Sequence, residues 1–179
     1  GPNMEKYVNQ LKKLRNNDPS LDTLDLNSNI VIEDHHGVEI AEALKDNTYC
    51  KKVLMNNIRQ KDSSASALAE ALKVNNTVEI LHLENNEIGA EGAIALADMI
   101  KVNTSLIEIA LNHQKGPFGN DAERALSQAF EFNQTILKFS LTVKDPGARN
   151  YINRGVTRNN ELARQKRRED IDTSEIVHG

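Results

Sequence analysis

The sequence has one cysteine, no tryptophan, four phenylalanines and three tyrosines among 179 residues. Because Cys50 has no second cysteine to pair with, an internal disulfide is excluded and a reducing compartment is favoured. No run approaches the roughly 18 consecutive apolar residues that a membrane-spanning helix needs. The first residues also lack the pattern of a secretory signal. We therefore expect a cytoplasmic chain without a membrane segment.

Sequence patterns that carry catalysis are also missing. There is no glycine-rich phosphate loop, no Gly-x-Ser-x-Gly turn, and no cysteine and histidine spacing typical of a metal site. The densest set of possible metal ligands is Asp34-His35-His36, which the sequence places in a loop with no second set of ligands at a workable spacing. We predict no enzymatic activity, no catalytic residue, no bound metal and no cofactor.

Positive charge is in deficit over most of the chain and concentrated in one segment. Residues 1–148 carry a net charge of −6, residues 149–168 carry +6, and residues 169–179 carry −4. This asymmetry favours an acidic partner for the basic segment, although the same cations would also stabilise the C-terminal end of a helix. Nucleic acid is not expected, because the body is acidic and only Tyr151 lies near the basic segment to stack on a base.

What the chain does contain is an internal repeat. A segment of the form apolar-x-x-apolar-x-apolar occurs five times, with starts 29, 28, 28 and 30 residues apart. A nearly fixed period of this length is typical of a solenoid. The five copies are Leu21/Leu24/Leu26, Cys50/Val53/Met55, Val78/Leu81/Leu83, Leu106/Ile109/Leu111 and Ile136/Phe139/Leu141.

A second pattern precedes the later copies at a matching phase, and its spacing indicates one buried face of a helix. Its copies are Ile40-Ala41-x-x-Leu44, Leu68-Ala69-x-x-Leu72, Leu96-Ala97-x-x-Ile100 and Leu126-Ser127-x-x-Phe130. Each unit is therefore one helix and one short strand, which is a leucine-rich repeat. We predict an α/β solenoid of about five repeats, with a parallel sheet and with all its strand-to-helix loops on one edge.

Segments that depart from the repeat are expected to close its two ends. A helix over about residues 4–17, carrying Val8, Leu11 and Leu14, precedes the first strand. After the last strand, Asp145-Pro146 has the form of a helix start and predicts a capping helix to about Arg168.

In domain terms, the start Gly1-Pro2 resembles a protease-cleavage remnant, which would make the chain a fragment of a longer protein. We assign residues 1–3 to this remnant and a linker, and residues 4–168 to one leucine-rich repeat domain that includes the capping helix from about residue 146. Residues 169–179 are polar and are expected to form a disordered tail.

The predicted capping helix has two faces. A rotation of 100° per residue puts Ile152 and Val156 on the face toward the last repeat, and Arg154, Arg158 and Arg168 on an opposite, basic face. Gly155 interrupts this helix and is expected to weaken it by about 1 kcal/mol relative to alanine.

Three triplets have the form of glycosylation acceptors, Asn75-Asn76-Thr77, Asn103-Thr104-Ser105 and Asn133-Gln134-Thr135. All three lie where a helix ends before the next strand. We interpret each asparagine as the end of a helix, in a left-handed or turn conformation.

The concave positions of the predicted strands are mixed and mostly small, so they form no charged or aromatic stripe. They are Asp25, Leu54, His82, Ala110 and Ser140. Binding is therefore expected at the loop edge and on the capping helix.

An ordered set of strings is more specific than the repeats themselves. It includes Asn16-Asn17-Asp18-Pro19, Leu72-Lys73-Val74-Asn75-Asn76-Thr77, Asn103-Thr104-Ser105-Leu106-Ile107-Glu108, Pro146-Gly147-Ala148-Arg149 and Asn159-Asn160-Glu161-Leu162. These strings, spread over about residues 4–168, resemble the carboxy-terminal half of the tropomodulins, whose repeat domain the leiomodins share.

The resemblance implies a ribonuclease-inhibitor-like repeat domain that binds actin, caps filament pointed ends in the cytoskeleton and slows monomer exchange there. Tropomyosin would bind only through an amino-terminal region that this sequence lacks, and a monomer is expected. Arg59 and Arg149 stand where the family pattern has an arginine. The expected actin contacts are Arg59, Lys61, Lys115, Phe118, Arg149, Arg154, Arg158, Lys166, Arg167 and Arg168.

Other functions stay open at this point. A leiomodin-like filament nucleator cannot be separated from a capping protein on these residues. A GTPase-activating leucine-rich repeat protein would share the architecture, with an exposed arginine such as Arg59 as its finger. A generic scaffold with a partner unrelated to actin is the third alternative.

Overall fold

The computed structural model describes residues 1–178, including the backbone but not the side chain of residue 178. Six helices and five strands alternate along these residues. The elements are α1 Pro2–Arg15, β1 Thr23–Asp25, α2 Asp34–Leu44, β2 Lys52–Leu54, α3 Asp62–Leu72, β3 Ile80–His82, α4 Ala90–Val102, β4 Glu108–Ala110, α5 Asn120–Phe132, β5 Lys138–Ser140 and α6 Pro146–His178.

The strands form one parallel sheet in the order β1-β2-β3-β4-β5. The register pairs equivalent repeat positions, so that Leu24, Val53, Leu81, Ile109 and Phe139 lie side by side. This order arises because each helix returns the chain to the same end of the sheet one strand further along. The predicted leucine-rich repeat solenoid is confirmed.

The core lies between the sheet and the layer of helices. The repeated strand and helix positions of the inner repeats are buried, and most have no exposed surface at all. Cys50 is one of them, and burial raises the pKa of its thiol to about 11, so it remains an unreactive thiol at neutral pH. No helix among residues 1–178 is long and apolar enough to cross a membrane.

A ladder of buried asparagines locks successive repeats together. The side chains of Asn75 and Asn103 each donate to a carbonyl at the end of the preceding helix, Leu44 O at 2.7 Å and Leu72 O at 2.8 Å. Their side-chain oxygens accept from the backbone two and three residues ahead. Asn47 and Asn133 make the same contacts.

Of the two conformations predicted for these asparagines, the left-handed one is corrected, whereas the side-chain bond to the N–H two residues ahead is a turn. The backbone of Asn103 is extended, with φ −71° and ψ 138°, and that of Asn133 has φ −74° and ψ 127°, rather than left-handed. The side chains are only 2–3% exposed. Their role in the acceptor-like triplets is therefore internal hydrogen bonding, because a buried amide is closed to a modifying enzyme.

Helix α1 closes the first end of the stack, where one of its side chains bonds the backbone of β1 as a neighbouring strand would. The Gln10 side chain accepts from Asp25 N at 2.9 Å and donates to Asp25 O at 3.2 Å, which satisfies both backbone groups of Asp25 on the open edge of β1. Tyr7, Leu11 and Leu14 form its buried face. The prediction for Val8 is wrong, since its side chain is 51% exposed.

Helix α6 closes the other end and then extends past the solenoid. It continues to His178, which corrects the predicted helix end at Arg168 and the disordered tail over residues 169–178. Residue 179 lies outside the described residues. The segment has no glycine or proline after Gly155 until residue 179. The segment also places opposite charges four positions apart, as in Lys166 and Asp170. Residues at this spacing lie on the same side of a helix, where opposite charges stabilise it.

Candidate protein-interaction surfaces

The strand-to-helix loops form one edge of the solenoid, as predicted, and share a backbone conformation. The residue two positions after the last apolar strand residue has a positive φ in four repeats. These residues are Ser28 (56°), Asn57 (56°), Asn85 (55°) and His113 (66°). Because this left-handed conformation recurs at one repeat position, the loops leave the sheet in the same direction and present a continuous surface, which we call the loop edge.

Arg59 lies on the loop edge but is tied to the protein. It has a φ of 55°, and its guanidinium donates to Ile30 O at 3.1 Å and to Ile32 O at 3.0 Å. Its side chain is exposed, yet these two bonds hold it across the preceding loop. Arg59 therefore braces the loop before α2, which is a role that sequence reasoning did not anticipate.

The other predicted loop residues differ in exposure. Lys61 is exposed, and its backbone N donates to Asp34 Oδ1 at 2.7 Å. The side chain of Lys115 is 79% exposed, with Nζ 3.6 Å from Glu87 Oε1. Phe118 is only 8% exposed and packs into the core. The structure therefore places Lys61 and Lys115 at the surface and removes Phe118 from it.

The start of α6 is positioned by two carboxylates. Asp145 Oδ2 accepts from Ala148 N at 2.7 Å, as expected of a helix N-cap. Glu123 is 5% exposed, and its two oxygens accept from Lys144 N at 2.8 Å and Asp145 N at 2.9 Å. A buried carboxylate in α5 therefore holds the turn from which α6 begins.

Close packing of α6 on α5 depends on Gly155. A Cβ at this position would lie 2.8 Å from Phe130 Cβ and 3.2 Å from Phe130 O. Gly155 is buried, and Phe130 is 1% exposed and cannot move away. The glycine that looked like a weak point of the helix is thus required where two backbones approach each other.

Arg158 is not on a free basic face, which corrects the prediction for this residue. Its Nη2 donates to Phe130 O at 2.8 Å and Asn133 O at 2.5 Å, and its side chain also reaches Asn159 Oδ1. Asn159 is fully buried and donates to Ile136 O at 2.9 Å. Arg158 thus satisfies two carbonyls at the end of α5 that a further repeat would otherwise take, and Asn159 satisfies a carbonyl just before β5.

The remaining predicted cations of α6 are exposed. They are Arg149, Arg154, Lys166, Arg167 and Arg168. Glu161 pairs with Arg164 at 3.0 Å and with Arg168 at 3.4 Å, and the hydrogen bond from Arg164 lowers the pKa of this carboxyl group. We call Arg149, Arg154, Lys166 and Arg167 the exposed cations of α6. A rotation of 100° per residue spreads them around the helix, so they do not share one face.

The concave side of the sheet carries a small charged cluster that sequence reasoning missed. His82 Nε2 contacts Glu108 Oε2, and Lys138 Nζ lies 4.0 Å from Glu108 Oε1. The signal was available, because the repeat period puts Glu108 one strand away from His82 and beside Lys138. The cluster joins neighbouring strands β3, β4 and β5 on this face.

The histidines near residue 35 lie in the first turn of α2 and not in a loop, which is a further correction. Atoms of His35, His36 and Glu39 lie within 4.8 Å of one another. His36 Nδ1 already accepts from Glu33 N at 2.8 Å, so its Nε2 carries the proton in the neutral ring. Burial, followed by nearby His35, lowers the pKa of His36. His36 thus caps the start of α2, and binding a metal ion would compete with the hydrogen bond that forms the cap.

A model of the TMOD/LMOD leucine-rich domain family matches residues 3–162. The chain belongs to this family. Among solved structures, one described as leiomodin-1 actin-binding site 2 is 28% identical, with a TM-score of 0.86, and the match covers 93% of this chain and 96% of that chain. A Caenorhabditis elegans tropomodulin C-terminal domain is 23% identical, with a TM-score of 0.84 and coverage of 90% and 97%, and it supports the fold.

Membership of the TMOD/LMOD leucine-rich domain family confirms the resemblance read from the sequence. The family match ends at residue 162, whereas α6 runs to His178. Arg149 and Arg154 therefore lie inside the matched domain, and Lys166 and Arg167 lie in the part of α6 beyond it.

Proposed function

We propose that this chain binds actin through the loop edge and the exposed cations of α6, and slows subunit exchange at filament pointed ends. The observation that carries the proposal is the 28% identity to leiomodin-1 actin-binding site 2 across 93% of the chain. The exposed cations support it, since Lys61 and Lys115 lie on one edge and Arg149 and Arg154 on a helix at one end of a rigid solenoid. Such a body can touch more than one subunit.

The test is elongation of actin filaments whose barbed ends are blocked. Micromolar chain is expected to slow growth at the free pointed ends. Reversing three cations of α6 together, Arg149→Glu, Arg154→Glu and Lys166→Glu, should weaken this inhibition, because exposed cations complement an acidic surface. A matched control reverses the exposed lysines Lys12, Lys13 and Lys45, which changes net charge equally.

The control variant should inhibit as well as the unmodified chain. If unmodified chain neither slows elongation nor binds monomeric actin, the proposal is wrong. If inhibition occurs but the α6 reversal leaves it unchanged in a folded protein, actin binding stands and the assignment to α6 is wrong.

Filament nucleation is the second candidate, because the 28% identical structure is a leiomodin. It is separated from capping by polymerising monomeric actin without seeds. A shortened lag phase would support nucleation, and an unchanged or lengthened lag phase would support capping. The GTPase-activating alternative gains no support from Arg59, whose guanidinium already donates to Ile30 and Ile32.

A further inference from the structure

Helix α6 takes the place of a sixth repeat but supplies no sixth strand. Arg158 makes the contacts of a ladder asparagine, since it donates to Phe130 O and Asn133 O, and Asn159 beside it donates to Ile136 O. In the inner repeats the chain turns into a strand after the ladder asparagine. Here it continues as helix to His178. Within residues 1–178, β5 is therefore paired on one side only.

The hydrogen bonds of β5 to β4 show which of its backbone groups face away from the sheet. Lys138 N donates to Ile107 O, and Ser140 O accepts from Leu111 N, so these two residues face β4. Because the direction of bonding alternates along a strand, the N–H and C=O of Phe139 and the N–H of Leu141 face outward. Asn160 covers only the preceding carbonyl, donating to Leu137 O at 3.0 Å.

The two edges of the sheet differ in how side chains bond their outward backbone groups. At the first edge, Gln10 satisfies both backbone groups of Asp25. At the last edge, none of the side-chain hydrogen bonds among the described residues reaches Phe139 N, Phe139 O or Leu141 N. An open edge of this kind is a template for a further strand.

The side chains at this edge are incompletely covered. The positions equivalent to Phe139 and Leu141 in the four other repeats are no more than 1% exposed, whereas these two are partly exposed. Beside Leu141 lies a cavity of about 340 Å³, whose lining includes Phe118, Glu123 and Lys144. Apolar surface is thus available next to the open backbone.

Lysines flank the open edge at both ends. The Lys138 side chain is 68% exposed at the start of β5, and Lys144 is exposed just after it. The carboxylates near these lysines have partners of their own. Glu123 and Asp145 accept from backbone N–H groups, and Glu108 contacts His82 and lies 4.0 Å from Lys138 Nζ. Edge lysines oppose pairing with a like-charged strand and favour an acidic one.

We propose that the open edge of β5 binds an extended acidic segment of a partner protein as a sixth strand. The outward backbone groups of Phe139 and Leu141 bond the segment, Lys138 and Lys144 attract its carboxylates, and one apolar side chain of the segment fills the cavity beside Leu141. This is addition of a strand to a sheet edge, in which the backbone supplies affinity and the side chains supply specificity. It is independent of actin binding.

The probe is a nine-residue synthetic peptide of alternating glutamate and valine, titrated into the full chain by calorimetry. The same peptide with alternate backbone nitrogens methylated cannot donate those hydrogen bonds, and leaves the protein unaltered. We expect the methylated peptide to bind about fivefold more weakly, since it cannot donate to Phe139 O and one hydrogen bond of typical strength corresponds to roughly that factor. Amide exchange at Phe139 and Leu141 should slow more with the unmodified peptide than with the methylated one.

Charge is tested with the double variant Lys138→Glu and Lys144→Glu, which should also lower affinity about tenfold. Lys52→Glu is the matched control, because Lys52 has the register position of Lys138 on a strand paired on both sides. It should leave affinity unchanged. Equal binding of the two peptides, or no binding of the unmodified peptide at about 1 mM, overturns the proposal.

Discussion

Gly155 and Arg158, single residues of α6, decide how closely this helix lies on α5. Gly155 leaves room for Phe130, and Arg158 satisfies Phe130 O and Asn133 O. A helical wheel correctly separates Ile152 from Arg154, but it cannot tell that the long side chain of Arg158 turns back toward the neighbouring helix.

Replacing Gly155 with alanine tests the close approach. Alanine favours the helix by about 1 kcal/mol, but its Cβ would lie 2.8 Å from Phe130 Cβ and 3.2 Å from Phe130 O. We expect the cost of overpacking to exceed the gain in helix propensity, with a net loss of about 1–2 kcal/mol in the free energy of unfolding, measured by urea denaturation. Gly116→Ala is the control, since a Cβ there meets nothing within 4 Å. If Gly155→Ala were more stable than the unmodified chain, the close approach of α6 to Phe130 would not require glycine at this position.

Arg154 and Arg158 should separate binding from stability. Arg158→Ala removes donors to two carbonyls and is expected to lower the free energy of unfolding by about 1–3 kcal/mol. Arg154→Ala should leave stability unchanged and weaken inhibition of pointed-end growth, because its side chain is exposed. Thermal unfolding and the elongation assay measure the two effects. If both variants unfold alike, the structural role given to Arg158 is wrong.

At the scale of elements, the asparagine ladder joins each helix end to the next repeat. Asn103→Ala leaves Leu72 O and the N–H groups of Ser105 and Leu106 without their partner. Buried groups left unpaired cost about 1–3 kcal/mol each, so we expect a loss of about 3 kcal/mol, measured in urea. Exposed Asn76 is the matched control, and Asn76→Ala should have no effect. A loss below about 1 kcal/mol would mean that water replaces the side chain.

The junction of α1 and α2 should respond to pH through His36. Burial lowers the pKa of this histidine in the folded chain. The unfolded chain then binds the proton more readily, so stability should fall as pH drops below about 6.5. His36→Gln should flatten this dependence, as judged from urea midpoints between about pH 5 and 8. An identical pH profile in the variant would assign the dependence to other groups.

For the whole molecule, the period alone predicted the solenoid, because each copy adds the same helix and strand and the core grows by stacking. The ends were less predictable, since they depend on single side chains that complete another element's hydrogen bonds. Gln10 covers a strand edge, and Glu123 holds the start of α6 instead of capping its own helix. In each case the partner is distant in sequence and no local pattern marks it. For the same reason, only the structure distinguishes the predicted contact residues that are free at the surface from those that are not. Phe118 is buried, and Arg59 is hydrogen-bonded to the neighbouring loop.

A rigid solenoid with two separate basic surfaces should contact actin additively. Reversing Lys61 and Lys115 on the loop edge, or Arg149 and Arg154 on α6, should each lower apparent affinity for pointed ends about fivefold, as expected for two surface charges. Because the surfaces do not touch, the combined variant should lose about 25-fold. The concentration dependence of pointed-end inhibition measures this, and the losses should shrink as salt rises from about 50 to 150 mM, since exposed charges are screened. A combined variant no weaker than one of the pairs would mean that only one of the two surfaces meets the filament.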